Sequence, residues 1–276
     1  MQQFLTTLTM KYRTKSTLLW ILAFFLMAAS AIYQRSTGPT YPKKGKVTIN
    51  QQEIKYKLLR TWEGDTEAAI KIEVADNSIT GNYKFKRFKS HDEWNEKPLV
   101  REGNNLVGSL PNLPPAGKMM YEVTLSDGQQ QFKLRDESVV LRYKGAVPMF
   151  VLIPHIIFIF MAMMFSTRTG MEAIIKGKNL VSYSLWTVIL FAFAGMFLGP
   201  VVQKYAFDAY WTGWPFGTDL TDNKTLAALV LWVVAYFQVR KSPNKWGWVL
   251  AASILLFVVY LIPHSMLGSE IDYTKQ

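Results

Sequence analysis

The chain has 276 residues, of which 50% are hydrophobic and 18% are charged, and this balance is too apolar for an ordinary soluble enzyme. Its formal net charge is +11, but the basic residues flank apolar runs or alternate with acidic residues. This distribution differs from the basic surface of a nucleic-acid-binding protein, so we predict no nucleic-acid partner. The absence of cysteine excludes disulfides, thiolate metal sites, c-type haem attachment and lipoprotein acylation.

The first apolar run follows a short basic segment. Residues 11–15 contain three basic side chains, and residues 16–33 carry no charge and end near small residues. Both a cleavable signal peptide and a retained anchor have this pattern. We interpret residues 1–37 as a cytoplasmic amino terminus followed by a first transmembrane helix that serves as a signal anchor.

Residues 38–144 are polar and rich in charge, and they contain short runs with strand-like patterns. Turn-forming Gly, Pro, Asn and Asp residues separate the runs. About seven strands in about a hundred residues predict an extracytoplasmic β-sandwich domain. The runs are residues 47–49, 54–59, 69–74, 79–88, 105–110, 119–125 and 139–143.

Three segments of this region carry a family resemblance. They are Tyr83-Lys-Phe-Lys-Arg-Phe-Lys, then Asp92-Glu-Trp94, and then Leu110-Pro-Asn-Leu-Pro-Pro-Ala-Gly-Lys-Met-Met-Tyr-Glu-Val123. In this order residues 41–145 resemble an immunoglobulin-like domain of the fibronectin type III or E-set kind, where a Trp-bearing strand precedes a Pro-Ala-Gly turn and a Tyr-bearing strand. The resemblance implies a fold and no activity, and the lack of a cysteine pair excludes an antibody-type domain.

Residues 145–276 consist of long uncharged runs separated by short polar or basic connectors. The runs 145–167, 179–203 and 246–269 are long enough to cross about 30 Å of hydrocarbon. The run 225–239 is shorter. Either it is barely long enough to cross the hydrocarbon, or the span also includes residues of the preceding turn. We predict a four-helix transmembrane region here, with an outer loop at 204–224 and an outer tail at 264–276.

The positions of Lys and Arg beside the short connectors predict the orientation. Residues 11–15, 168–178 and 240–245 fall on one side if the amino terminus is cytoplasmic. The predicted fold is therefore a membrane α-helical bundle of about five spans, N-in/C-out, with an inserted extracytoplasmic all-β immunoglobulin-like sandwich. The whole chain also resembles bacterial multi-pass membrane proteins without an assigned activity, which implies the bacterial cytoplasmic (inner) membrane with the β-domain and carboxyl terminus on the periplasmic side.

Histidines and outer carboxylates are the candidates for metal binding. An ionisable group inside a span, such as His155 in the second predicted span, is a functional hypothesis by default. Two Pro-His pairs could alternatively hold a haem, while helix capping and kink hydrogen bonds are the structural explanation for the same residues. No cofactor is assigned. The candidate metal ligands are His155, His264, Asp219, Asp222 and Glu270.

The outer loop is the candidate partner-binding surface. It combines two Gly and one Pro with three aromatic residues, Trp211, Trp214 and Phe216. No Walker, Gly-x-Ser-x-Gly, His-Glu-x-x-His or dinucleotide motif is present, so an enzyme is disfavoured. We predict a non-enzymatic binding, accessory or assembly subunit of an inner-membrane complex, in contact with the lipid bilayer and with other membrane or periplasmic proteins. The alternatives are a metal- or haem-dependent electron-transfer protein and a small transporter lined by His155.

Overall fold

A computed structural model describes residues 2–263, 268 and 270–275, with side chains from residue 13 onward. His264 therefore lies outside the described residues. The chain divides into two compact units. The helical unit consists of Met1–Gly38, Val147–Lys204 and Ala209–Gly268, and the β unit of Pro39–Ala146, Tyr205–Asp208 and Ser269–Gln276.

The uncharged runs of the sequence form helices because they offer long apolar surfaces with few helix breakers. A seven-residue π-helical segment, Ala192–Leu198, joins α3 to α4, and short 3₁₀ turns occupy Pro243–Lys245 and Tyr273–Lys275. The α-helices of the described residues are α1 (Gln2–Thr37), α2 (Met149–Ile174), α3 (Leu180–Phe191), α4 (Gly199–Phe207), α5 (Leu220–Lys241) and α6 (Trp246–Leu261).

In the described part of the chain, four helical segments are long and apolar enough to cross a membrane. They are Arg13–Thr37, Met149–Ile174, Leu180–Phe207 and Pro243–Leu261. They correspond to four of the five predicted spans. The remaining one lies in α5, whose 22 residues extend for about 33 Å but carry charges at both ends. A fifth crossing by α5 therefore stays a prediction.

α5 provides much of the core of the helical unit. Its buried residues Ala228, Trp232, Ala235 and Val239 recur at intervals of four, three and four, so they share one helical face. Trp232 is fully buried, and the flanking alanines allow neighbouring helices to approach closely. α5 packs against both α3 and α6. The least apolar of the predicted spans is therefore a central element of the unit.

The β unit contains eleven strands within residues 39–146, all of which the structure describes. Each of the seven predicted runs corresponds to a strand. The four that the sequence did not reveal have only three or four residues each, too few for alternation to be visible. The strands are β1 (Lys43–Ile49), β2 (Gln52–Leu58), β3 (Thr61–Glu63), β4 (Ala68–Glu73), β5 (Thr80–Arg87), β6 (Asn95–Pro98), β7 (Val100–Glu102), β8 (Asn105–Leu110), β9 (Lys118–Ser126), β10 (Gln131–Lys133) and β11 (Val139–Lys144).

These strands of residues 39–146 form three sheets. β1 and β2 make a hairpin, β4-β8-β7 form a second sheet, and β3-β11-β9-β5-β6 form a third to which β10 adds by pairing with β9. β3 and β11 are parallel, and the other pairs are antiparallel. Since the sheets are several and not closed, the immunoglobulin-like assignment stays a prediction.

One hydrophobic core joins the three sheets. Alternate residues of β2, β4, β5 and β9 point into it, as in the run Met119, Tyr121, Val123 and Leu125 of β9. Buried tyrosines also donate hydrogen bonds to backbone carbonyls, for example Tyr121 to the carbonyl of Leu59 at 2.8 Å. The β unit, which has no disulfide, is therefore held by apolar burial and by satisfied buried hydroxyls.

Two short pieces from the carboxyl-terminal half complete the β unit. The Gly145 N–H donates to the carbonyl of Ala206 at 3.0 Å, and the Arg142 guanidinium lies 4.0 Å from the centre of the Phe207 ring. Tyr273 is 8% exposed and stacks under the Arg87 guanidinium. The sequence-based division gave all of residues 145–276 to the helical region, because it could not pair these short pieces with distant strands.

Candidate functional site

The aromatic loop, residues 209–219, is fastened to the first turn of α5. Asp219 is the N-cap of that helix, and its Oδ1 accepts hydrogen bonds from the backbone N–H groups of Thr221 at 2.7 Å and Asp222 at 3.4 Å. α5 therefore begins at Leu220, several residues before the uncharged run 225–239 of the sequence.

Asp222 is 7% exposed, and its side chain accepts hydrogen bonds from the loop. Its Oδ2 accepts from the Thr212 N–H at 2.7 Å, from the Thr212 hydroxyl at 3.2 Å and from the Gln203 amide at 3.1 Å. Asn223 adds a bond from the Trp214 N–H to its Oδ1 at 2.6 Å. The polar side chains of this segment are thus used to fix its backbone.

The same loop exposes large aromatic side chains. Trp211 is partly buried and donates its indole N–H to the carbonyl of Trp214 at 3.0 Å. Trp214 and Phe216 are 68% and 83% exposed. Of the three predicted contact residues, Trp211 therefore supports the loop, while the other two project from it.

An apolar groove begins at Trp214 and runs along the face of α5 that carries Leu226, Val230 and Val234. Its volume is about 710 Å³, and Trp248 at the start of α6 lies at its other end. The spacing of the α5 residues is three or four, so they form one stripe along the helix. The residues that line it are Trp214, Asn223, Leu226, Ala227, Val230, Leu231, Val234 and Trp248.

His155 lies in the second turn of α2, about 9 Å along the axis from the helix start at Met149. The sequence predicted His155 inside the span 145–167, whereas α2 starts four residues later and ends seven residues later than that run. Its Nδ1 lies 3.2 Å from the carbonyl oxygen of Ala194, in the π-helical segment. His155 therefore follows the helix-internal Pro154 and contacts a backbone carbonyl of the π-helical segment.

Glu270 belongs to the β unit, where Lys89 and Lys118 form ion pairs with its carboxylate. Burial opposes ionisation of this carboxyl, but the hydrogen bonds from the two lysines lower its pKa below the usual value. The adjacent Ile271 N–H donates to the carbonyl of Ala116 at 3.4 Å. Glu270 thus fastens the carboxyl-terminal residues to the β unit.

The predicted metal ligands are not gathered among the described residues. Within residues 2–263, 268 and 270–275, no three His, Asp or Glu side chains form a group that could hold a metal ion. Asp219 and Asp222 act as a cap and a loop anchor, and His155 contacts a backbone carbonyl. Metal or haem binding stays a prediction that depends on His264, which lies outside the described part.

Sequence reasoning missed a buried ion pair within α2. Arg168 and Glu172 are both fully buried and lie 2.7 Å apart, one helical turn from each other. The Arg168 Nη2 also donates to the Ser16 hydroxyl at 3.2 Å, and its guanidinium lies 5.6 Å from the ring centre of Trp20 and 5.1 Å from that of Tyr183. The pair therefore links α1, α2 and α3.

Glu172 also fixes the turn between α2 and α3. Its Oε1 accepts from the Asn179 N–H at 3.0 Å, and Gly177 packs so closely that a Cβ there would lie 2.1 Å from this oxygen. The sequence suggested that residues 168–178 form a surface connector, yet α2 continues to Ile174. The available signal was the opposite charges spaced four residues apart on either side of Thr169 and Gly170.

No family model, curated protein or solved structure matches this chain. Function must therefore be inferred from the geometry. The Arg168–Glu172 pair and the loop carboxylates make their contacts with other groups of the same chain. The aromatic loop and the groove beside α5 present side chains of the kind that proteins use for recognition.

Proposed function

We propose that this chain is a binding or assembly subunit of a bacterial cytoplasmic-membrane complex. Its four long apolar helices cross the membrane together with α5, with the amino terminus inside and the β unit on the periplasmic side. The observation that carries the proposal is an internally bonded loop that exposes Trp214 and Phe216 beside an apolar groove.

The rigidity of the loop supports its use in recognition. Its backbone N–H groups at Thr212 and Trp214 are bonded to carboxylate and amide oxygens of α5, so little conformational entropy remains to be lost when a partner binds. Exposed Trp side chains on a fixed backbone are the commonest centres of binding energy in protein interfaces. Phe216 adds apolar area next to it.

The groove suits an apolar helix from another membrane protein. Ala227 lies between larger residues of the same stripe, and a small residue at this point lets a partner backbone approach closely. Trp214 and Trp248 at the two ends have the aromatic character that favours membrane–water interfaces. We infer that a partner helix lies along α5 in this groove, with the aromatic loop contacting the partner outside the bilayer.

The orientation is supported by the basic residues that border the helices. Arg240 and Lys241 form the last turn of α5, Lys245 precedes α6, and Lys176 follows α2. With the basic segment at residues 11–15, these residues share one side when all five helices cross. The aromatic loop and the β unit then share the opposite, periplasmic side.

Photo-crosslinking in native membranes tests this proposal. A photoreactive amino acid at position 227 should yield reproducible adducts with the mass of one further membrane protein. The same group at Ala29, an exposed alanine on α1, should yield lipid adducts. With the photoreactive group kept at position 227, Val234→Trp should obstruct the groove and abolish the protein adduct, whereas Ala29→Trp should leave it. Lipid adducts alone at both positions would contradict the proposal.

A further inference from the structure

The hairpin of β1 and β2 presents four lysines on one face. Lys44 is directly opposite Lys57, and Lys46 is directly opposite Lys55, and all four side chains are exposed. The other face of the hairpin joins the core through residues such as Ile54, so the register is fixed by burial. The lysines are therefore held side by side.

This arrangement carries an energetic cost within the chain. Like charges directly opposite each other in an antiparallel pair destabilise it. Within these two strands the only acidic side chain is Glu53, which forms an ion pair with Lys46 at 2.7 Å. Lysines on an edge strand also discourage aggregation. Two adjacent like-charged pairs point to an anionic ligand.

The covalent chain limits which anion this face meets. α1 ends at Thr37 and β1 begins at Lys43, so six residue steps bound their separation at about 20 Å. Tyr41 lies in this connection, with its ring centre 5.5 Å from the Lys44 Nζ. Tyrosine and lysine side chains together are typical of the headgroup region of a membrane.

We infer that the outer face of the β1–β2 hairpin binds the phosphates of anionic lipid headgroups. The inference depends on the proposed membrane placement of α1, but it is independent of the groove and of any partner protein. Lysines on this face supply several point charges at fixed spacing, and each contributes to attraction by an anionic surface. Binding would offset the repulsion within the two lysine pairs.

Lysine labelling on the full chain tests the inference. The protein is placed in nanodiscs of phosphatidylcholine alone or with about one third phosphatidylglycerol, and acetylation rates are measured by mass spectrometry. We expect Lys44, Lys46, Lys55 and Lys57 to react about fivefold more slowly in the anionic discs. The exposed Lys71 and Lys97 serve as internal controls and should change little. High salt should remove the difference.

Two results would overturn it. Equal rates in both lipids would show that the hairpin does not meet the headgroups. The same protection by inorganic phosphate in neutral discs would assign the face to a free anion instead. The double variant K55Q/K57Q should lose the protection of Lys44 and Lys46, while K71Q/K97Q should retain it. These expected outcomes do not depend on the result of the crosslinking experiment at position 227.

Discussion

One group of charged side chains in the helical unit contrasts with one group in the β unit. In the helical unit, Arg168 and Glu172 are fully buried, and their side chains form an ion pair with each other. In the β unit, Lys44 and Lys57 are exposed and face one another with like charge. The first arrangement is an ion pair within the chain that holds three helices together. The second places like charges together on a surface that we propose meets anionic lipid headgroups.

The largest expected effect follows from breaking the buried pair. Arg168→Ala or Glu172→Ala leaves one uncompensated buried charge and should lower the free energy of unfolding by about 3–5 kcal/mol. The double variant Arg168→Met/Glu172→Leu should recover most of the loss. Unfolding in mild detergent measures this, and Lys176→Gln, at an exposed position of the following turn, is the control. Single variants as stable as that control would disprove a structural role for the pair.

The loop anchor should be the next most sensitive position. Asp222→Ala removes the acceptor of three hydrogen bonds, so it should destabilise the loop by about 1–3 kcal/mol. Hydrogen exchange at the Thr212 amide should accelerate accordingly. Asp219→Asn keeps a good N-cap and should change little. Unchanged exchange in Asp222→Ala would show that the loop is rigid for another reason.

Reversing one charge in the hairpin should raise the stability of the β unit and weaken its binding to anionic lipid. Lys57→Glu replaces a like-charged cross-strand pair with an attractive one, so it should stabilise the β unit by about 0.5 kcal/mol. The same variant should lose lipid-dependent protection of Lys44. Thermal unfolding and lysine labelling measure the two effects. A destabilised variant would mean that Lys57 has a stabilising contact in the folded chain.

The smallest effect concerns the attachment of the carboxyl-terminal residues. Because the pKa of Glu270 is lowered in the folded state, its ion pairs with Lys89 and Lys118 stabilise the attachment above pH 4.5, and that stability is lost as pH falls through the lowered pKa. The contribution is below about 1 kcal/mol. Hydrogen exchange at the Ile271 amide should accelerate below pH 4.5, and Glu270→Gln should remove this pH dependence. Identical pH profiles for both proteins would contradict it.

The sequence predicted the secondary-structure elements more accurately than the contacts between them. Runs with alternating or β-favouring residues located the seven longer strands, and uncharged runs located the four long apolar helices. A charge was taken as the end of a span at Arg168, although α2 continues because Glu172 neutralises that charge one turn later. Pairing of this kind depends on tertiary neighbours such as Ser16, which lies 152 positions away in sequence.

The candidate site was predicted in position but not in chemistry. Residues 204–224 were predicted to form an outer loop with Trp211, Trp214 and Phe216 as contact residues, and in the structure Trp214 and Phe216 are exposed. The carboxylates there were considered as metal ligands as well as caps, and in the structure they bond backbone N–H groups. The groove beside α5 was not anticipated, because its outline depends on how α5 and α6 pack.

Quantitative co-purification tests the binding role most directly. The protein and its alanine variants would be isolated in mild detergent from native membranes, and the companion that crosslinks at position 227 would be measured against the bait. We predict that Trp214→Ala lowers its recovery about thirtyfold, as expected for a central Trp of an interface, without changing thermal stability. Phe25→Ala, at an exposed aromatic of α1, should have no effect. Equal recovery of the companion with Trp214→Ala and the unaltered protein would contradict the proposed contact surface.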